Sequence, residues 1–400
     1  MKIWKEKTIN DLYDVHNGLS KSGNFFGNGY PFLSFSTVFN NYFIPDELRD
    51  YVQTTEKERL NYSICRGDVF VTRTSETADE LGMSCVALKD YPNATYNGFT
   101  KRLRPKTNEL LPEYIGYYFR THSFRGKFKA FSTMTTRASL KNEDLLSLSV
   151  FFPSMEDQKK ISSVLLLYDN LIDNNQKQIK LLEEAAQRLY KEWFIDLRFP
   201  GHETTPIING IPEGWTKTNI DCLCELLKTS IVPDEIESNT PYIGLEHMPR
   251  KDFCLSTWDD SSSISSNKYC FKRRNILFGK IRPYFHKVGF AITDGVASTD
   301  SFVLEPKQEI WGLFLLTVSS DAFVNYAYKT CKEGAKMPRA DWNQMKEYPL
   351  LVAKESIQKQ FEKNISKITK QIEVLAIQNH KLIEARDRLL PKLMSGEIEV

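Results

Sequence analysis

No stretch of this 400-residue chain approaches the roughly 20 consecutive apolar residues that span a bilayer. Its opening, Met1-Lys2-Ile3-Trp4-Lys5-Glu6, has no apolar signal core, and its seven cysteines are an odd number without a Cys-x-x-Cys pair. The expectation is a cytoplasmic protein with reduced thiols and no membrane role. There is no Gly-x-x-x-x-Gly-Lys-Ser/Thr loop to cradle a triphosphate, and no Asn-Pro-Pro or Asp-Pro-Pro run of the kind that sits beside a flipped base in amino-methyltransferases. The six histidines are scattered, and Cys222-Leu223-Cys224 is too isolated from any of them to hold zinc, so these cysteines read as buried free thiols. No metal site is expected. Even net charge is scarce, at +2. The chain carries no recognisable catalytic machinery of its own.

What it does carry is a duplication. Ile161, Leu165, Tyr168, Ile172, Asn175, Ile179, Leu182, Ala186, Leu189 and Trp193 follow a four-three spacing. Adding 200 to each number gives Phe361, Ile365, Ile368, Ile372, Leu375, Asn379, Leu382, Arg386, Leu389 and Leu393. Residues three and four apart share a helix face, so each run is the seam of a coiled-coil helix. The polar interruptions Asn175, Asn379 and Arg386 fall at different places in the two copies and predict a specific pairing. Outside the helices, Trp4, Ile9 and Leu12 recur as Trp215, Ile220 and Leu223, and Pro31-Phe32-Leu33 as Pro241-Tyr242-Ile243. Asp68 to Val71 with Arg73 matches Asn275 to Phe278 with Lys280, and Leu103 to Lys106 matches Leu304 to Lys307. The offset drifts only from 211 to 201 along the chain, so one unit of globular domain plus long helix has been copied in tandem.

The fold class is α+β. Short strands are predicted at Val69 to Thr72, Met83 to Leu88, Phe99 to Leu103, Ile276 to Phe278 and Phe302 to Leu304. Helices are predicted from Pro112 toward Phe131 and from Trp311 to Tyr328. Turn residues at Phe199-Pro200-Gly201 and Asn209 to Gly214 mark the clearest boundary. The domains expected are a globular domain over 1–154, a long helix over 155–198, a second globular domain over 199–353 and a second long helix over 354–400.

Charge is unevenly distributed. From Asn97 to Lys141 the basic residues face only Glu109 and Glu113, and from Ser265 to Phe290 there is no acid at all. One basic run per repeat points to a phosphate-binding footprint. If the long helices pair antiparallel, about 33 residues at 1.5 Å rise make a rod of roughly 50 Å, against about 34 Å for a turn of DNA. Antiparallel pairing also relates the two globular domains by a pseudo-twofold axis, which is the symmetry of duplex DNA.

Several segments carry a family resemblance that covers essentially the whole chain. Gly210-Ile211-Pro212-Glu213-Gly214-Trp215 resembles the opening of a target recognition domain, and Gly334 to Trp342 the segment that closes one. Pro153 to Ile161, with Gln158, resembles the start of a conserved helix, and Leu389 to Ile398 the usual C-terminus, of type I restriction-modification specificity subunits. Ala353 to Gln358 departs from the pattern by lacking the prolines that normally precede the helix.

The resemblance implies two target recognition domains separated by two long helices in an antiparallel coiled coil. Each domain would read one half of a bipartite DNA site, and the helices would set the spacer. Partners implied are double-stranded DNA, two modification (methyltransferase) subunits and restriction subunits. No cofactor is expected on this chain, while S-adenosylmethionine, ATP and magnesium belong to the partners. Other readings are the DNA-reading module of another bipartite-site restriction-modification enzyme, and a non-catalytic or RNA-binding scaffold. Because Arg and Lys are the main guanine readers and phosphate partners, the candidate DNA contacts are Arg73, Lys101, Arg102 and Arg137 in the first domain. In the second they are Lys280, Arg282, Lys336 and Arg339, with Arg137 and Arg339 foremost because they recur at offset 202.

Overall fold

Each repeat is closed by its own ends. In the first, Lys5–Thr8 lies antiparallel to Ser149–Phe152, with Lys5 opposite Phe152. In the second, Thr216–Asn219 lies antiparallel to Pro349–Val352, with Thr216 opposite Val352. The computed structural model describes residues 4–75, 81–129, 138–332 and 334–400. They pack as two units, Met1–Asn170 with Ile383–Val400, and Leu171–Leu382.

In the first unit a four-stranded antiparallel sheet runs in the order Tyr13–Asn17, Thr100–Pro105, Val69–Thr72, Ser84–Val86. Val69–Thr72, rich in β-branched residues, is buried at every position, as a central strand should be. A smaller sheet pairs Phe26–Leu33 with Asp50–Val52, and in parallel with Thr95–Tyr96. The second unit repeats the plan: Cys224–Leu227, Ser301–Pro306, Ile276–Gly279, Val288–Ala291 and Cys254–Leu255 form the larger sheet, and Tyr242–Ile243 pairs in parallel with Gly295–Ala297 in the smaller. The recurrence reaches single residues. Phe32 faces Thr95 as Tyr242 faces Val296, and Asn97 donates to the Leu33 carbonyl (3.0 Å) as Ser298 donates to that of Ile243 (3.0 Å).

The helix expected from Pro112 is two helices, Pro112–Tyr118 and His122–Lys129, with the remainder of the expected span outside the described residues. The hydroxyl of Thr121 accepts from the Phe124 amide (3.3 Å) and starts the second helix afresh. Ser320 does the same in the other repeat, accepting from Phe323 (3.1 Å) and dividing Trp311–Val318 from Asp321–Lys329. Apolar pattern ran through both breaks, but a cap is a local hydrogen bond that periodicity does not register. Among the described residues no single helix is long and apolar enough to cross a membrane.

The long helices are Met155–Tyr190, continued by a π-helical turn at Lys191–Ile195, and Glu355–Ser395. Within each unit their segments run antiparallel. In the first, Ile161 and Leu165 share a core with Leu390, Leu393 and Met394, and Asp169 binds Arg386 at 2.6 Å. In the second, Trp193 and Phe194 pack against Phe361, tilted and edge-on respectively, and the Asn175 side-chain amide donates to the Asn379 oxygen at 2.9 Å. None of the expected seam residues is exposed; Tyr168, Ile179, Leu182, Leu189, Ile368, Leu382 and Leu389 are half-buried, and Ile172, Ile365, Ile372 and Leu375 are buried. Asn175 and Asn379, out of step in the 200-residue alignment, meet because antiparallel pairing reverses one copy.

Each long helix also holds its globular partner by polar groups. The Gln158 side chain accepts from the Leu111 amide (2.8 Å) and donates to the Glu109 carbonyl (2.9 Å), tying the first long helix to the start of Pro112–Tyr118. In the second repeat Gln358 occupies the matching position, but Glu362 accepts from the Gly312 and Leu313 amides (2.7 and 3.0 Å). The approach is so close that a Cβ on Gly312 would lie 2.7 Å from Ile365. Glu183 accepts from Phe253 and Cys254 (3.0 and 2.9 Å). Burial, with Asp252 nearby, pushes its carboxyl up to about 8.

Two outcomes follow from these buried groups. Asn175→Leu strands the Asn379 side-chain oxygen in an apolar seam, its nitrogen still donating to the Ile172 carbonyl (3.3 Å), and should lower stability in urea unfolding by about 1–3 kcal/mol, whereas the Asn175→Leu/Asn379→Leu pair should recover most of the loss. Because the folded-state pKa of Glu183 lies above its ordinary 4.5, its contribution is fully present below about pH 4.5 and is lost as pH rises through about 8. Glu183→Gln keeps a neutral acceptor, so it should match the parent melting temperature at pH 5 and exceed it at pH 9.

Candidate nucleic-acid interface

Most of the basic-run charges have partners within the protein, some buried and some at the surface. Lys101 and Arg102 are 5% and 4% exposed. The Lys101 ammonium donates to Asn142, and burial followed by the Arg73 charge lowers its pKa. Arg102 donates to the Ser63 carbonyl (2.7 Å) and lies over the Tyr96 ring. Arg104 forms a two-point bond to fully buried Asp68 (2.8 and 2.6 Å), and Arg120 ties the carbonyls of Ser84, Val38 and Asn41 together. In the second run Lys272 pairs with Asp294, Arg273 with buried Glu373, and Arg274 stacks on Trp311. The expectation that Lys101 and Arg102 face DNA is therefore corrected: strand alternation turns both into the sheet's interior faces, where Lys101 donates to a side-chain oxygen and Arg102, through Nη1, to a main-chain oxygen. Cys222, expected buried, is exposed, while Cys224 is half-buried.

Arg73, Lys280, Arg282 and Arg339 lie where a strand of each larger sheet runs out into a turn. In the first unit the Arg73 amide donates to Phe99 (3.0 Å), and the Leu140 amide donates to the Arg73 carbonyl (2.9 Å). In the second, Lys280 donates to Asp300 (2.8 Å) and Ala340 donates to Lys280 (2.9 Å). The short ladders agree: Ser139 faces Thr74, and Arg339 faces Ile281. One backbone frame thus recurs, with Arg73 in the place of Lys280, Phe99 in that of Asp300 and Ser139 in that of Arg339. Arg137, which the sequence paired with Arg339, lies outside the described residues.

The side chains on this frame differ. In the first unit Arg73 is half-buried and its Nε has no hydrogen-bond partner among the described residues, while Phe99 is 55% exposed. In the second, Arg339 binds Asp300 at 2.9 Å, and Lys280 donates to the Thr299 carbonyl (2.7 Å) over the Phe302 ring. Lys336 is exposed. Arg282 stands in the left-handed region (φ 49°), bonded through its amide to Pro338 (2.8 Å); its Nε is buried with no hydrogen-bond partner among the described residues. His286 closes the same turn, also left-handed (φ 55°), with its ring held between the Ser319 carbonyl (2.8 Å) and Asp321 (3.3 Å). Two non-glycine residues in this conformation hold a turn that presents Tyr284, half exposed and edge-on to Tyr328 at 5.4 Å. Asp300, Phe99, Tyr284 and Tyr328 were missed by a search for positive charge. The signal available for Tyr284 was its place after Arg282-Pro283, a dipeptide that fixes a turn.

The sheets differ beneath the frame as well. Lys101 bonds to Asn142 where the second unit packs Phe302 against Trp342, tilted, with ring centroids 5.5 Å apart. Among the described residues no group of three or more His, Cys, Asp or Glu is arranged to hold a metal.

Arg282→Ala should weaken duplex DNA binding about tenfold at low salt and reduce the salt slope by about one, with little change in melting temperature. Lys101→Met keeps the buried stem and frees an Asn142 oxygen that water can reach, so it should change stability by less than about 1 kcal/mol and leave DNA affinity unaltered in the same titration.

Comparison with known proteins agrees with this architecture. Residues 1–184 match the family described as the type I restriction modification DNA specificity domain. The chain is 25% identical over its full length, and over 94% of the relative, to the type I restriction enzyme MjaIX specificity subunit of Methanocaldococcus jannaschii. It is 22% identical, over the whole of both chains, to the type I restriction enzyme HindI specificity subunit of Haemophilus influenzae. The crystal structure of a type I restriction-modification system S subunit from M. genitalium shares the fold, with a TM-score of 0.56 at 15% identity over 98% of this chain and 96% of that one. A duplicated α+β domain on paired long helices, together with these matches, makes the chain similar over its whole length to type I restriction-modification specificity subunits, with residues 1–184 similar to their DNA specificity domain.

Proposed function

We propose that each of the two recognition domains reads one half of a bipartite, asymmetric DNA site, and that the helix pair sets the spacer between the halves. The observation that carries this reading is the twice-built frame at Arg73 and Lys280, the same hydrogen bonds supporting unlike side chains. A common scaffold with different surface chemistry is what two different half-sites require. A helix holds a fixed rise per residue, which suits it to fix a spacer. In this reading the helices also dock two modification subunits. Leu171, Leu181, Val374 and Ile377 on the long helices are exposed, an apolar surface that a protein partner would cover. The modification subunits supply S-adenosylmethionine and methylate adenine, while restriction subunits bring ATP and magnesium chemistry. This chain directs both, in the cytoplasm.

Co-expression with an adenine modification subunit, followed by methylation sequencing of the host genome, tests the reading. A single two-part asymmetric motif with a constant spacer is expected, and random or absent methylation would overturn it.

A further inference from the structure

The frame shared by the two units places a carboxylate, Asp300, where the other unit has the exposed ring of Phe99. A carboxylate on a DNA-facing surface is repelled by phosphate, and a base edge rewards it only with an amino donor. In the major groove those donors are cytosine N4 and adenine N6. Asp300 has a cation beside it: Arg339 Nη1 lies 2.9 Å from its Oδ1, and the two side chains are 59% and 33% exposed. A guanidinium has five N–H donors in a planar fork, so an arginine held by one carboxylate still presents donors to a second pair of acceptors. The acceptor pair that arginine fits is guanine O6 and N7, and the amino group alongside O6 in the same base pair is cytosine N4.

Resting on the half-site reading above, we infer that Asp300 and Arg339 act together as the reader of one G·C base pair in the half-site of the second domain. Arg339 donates to guanine, and Asp300 accepts from cytosine while holding the guanidinium in place. Their setting is rigid. Asp300 receives the Lys280 amide through its carbonyl, Arg339 is bridged to Ile281, and Ala340 donates to the Lys280 carbonyl. Lys280 itself is tied to the Thr299 carbonyl and leaves the carboxylate to Arg339. Phe99 can neither donate nor accept, so the corresponding position of the first domain reads by different chemistry.

Methylation sequencing of the co-expressed complex separates the outcomes. The unsubstituted protein should give a two-part motif; if it does not, the half-site reading fails before this inference is reached. Given that motif, Asp300→Ala and the isosteric Asp300→Asn should each relax one G·C position in one half by at least about tenfold, leaving the other half intact. Arg339→Lys, which keeps charge but loses the fork, should relax the same position. Asp294→Asn, which breaks the Lys272 pair, is the control carboxylate and should leave the motif alone. An unchanged motif in both Asp300 variants, with or without a drop in melting temperature, would overturn the inference and reduce the pair to a surface ion pair. Relaxation at an A·T position would overturn it equally.

Discussion

The antiparallel register of the two long helices is the constraint on which the rest depends. Asn175 and Asn379 are both buried, and a buried amide without a partner is costly, so the pairing that joins them is set apart from its neighbours one turn away. Around it each domain completes its core with residues from both helices. Ile161 and Leu165 need Leu390 and Leu393 in one unit, and Trp193 needs Phe361 in the other. The first unit therefore joins residues near the start of the chain to its last eighteen, Ile383–Val400. Such contacts are remote in sequence, and the polar seam gives them a single alignment.

On this scaffold, conservation of backbone and variation of side chains are separated by layer. Hydrogen bonds to the Arg73 and Lys280 carbonyls, the parallel pairs at Phe32 and Tyr242, and the closing strands at Lys5 and Thr216 are the same twice over. Variation lies at the ends of those bonds, in Phe99 against Asp300, and in turns such as the one from Arg282 to His286. A recognition surface can change there without altering the ladder, because a main-chain bond does not depend on the side chain it carries.

Much of this was legible in the sequence. The seam residues and the offset repeats in Pro31 to Leu33 and Pro241 to Ile243 report burial and pairing, which set residue type strongly. The interface was far less legible. Positive charge was read as surface, yet Lys101, Arg102, Arg104 and Arg120 are drawn inside by carbonyls and one buried carboxylate. A long cationic side chain can cross a sheet to an oxygen remote in sequence, and composition says nothing about where that oxygen is. Asp300 was passed over for the converse reason: an acid beside DNA makes sense only when the base edge it meets is considered.

The exchange of Phe302 and Trp342 for Lys101 and Asn142 bears on how such a chain can be altered. A graft with its crossover inside the sheet would set the Lys101 ammonium against an indole, or leave the buried Phe302 ring facing an asparagine. A crossover placed in the long helices exchanges each domain with its own interior intact. New combinations of half-sites are thus structurally cheap when whole domains move together and costly when they move in parts.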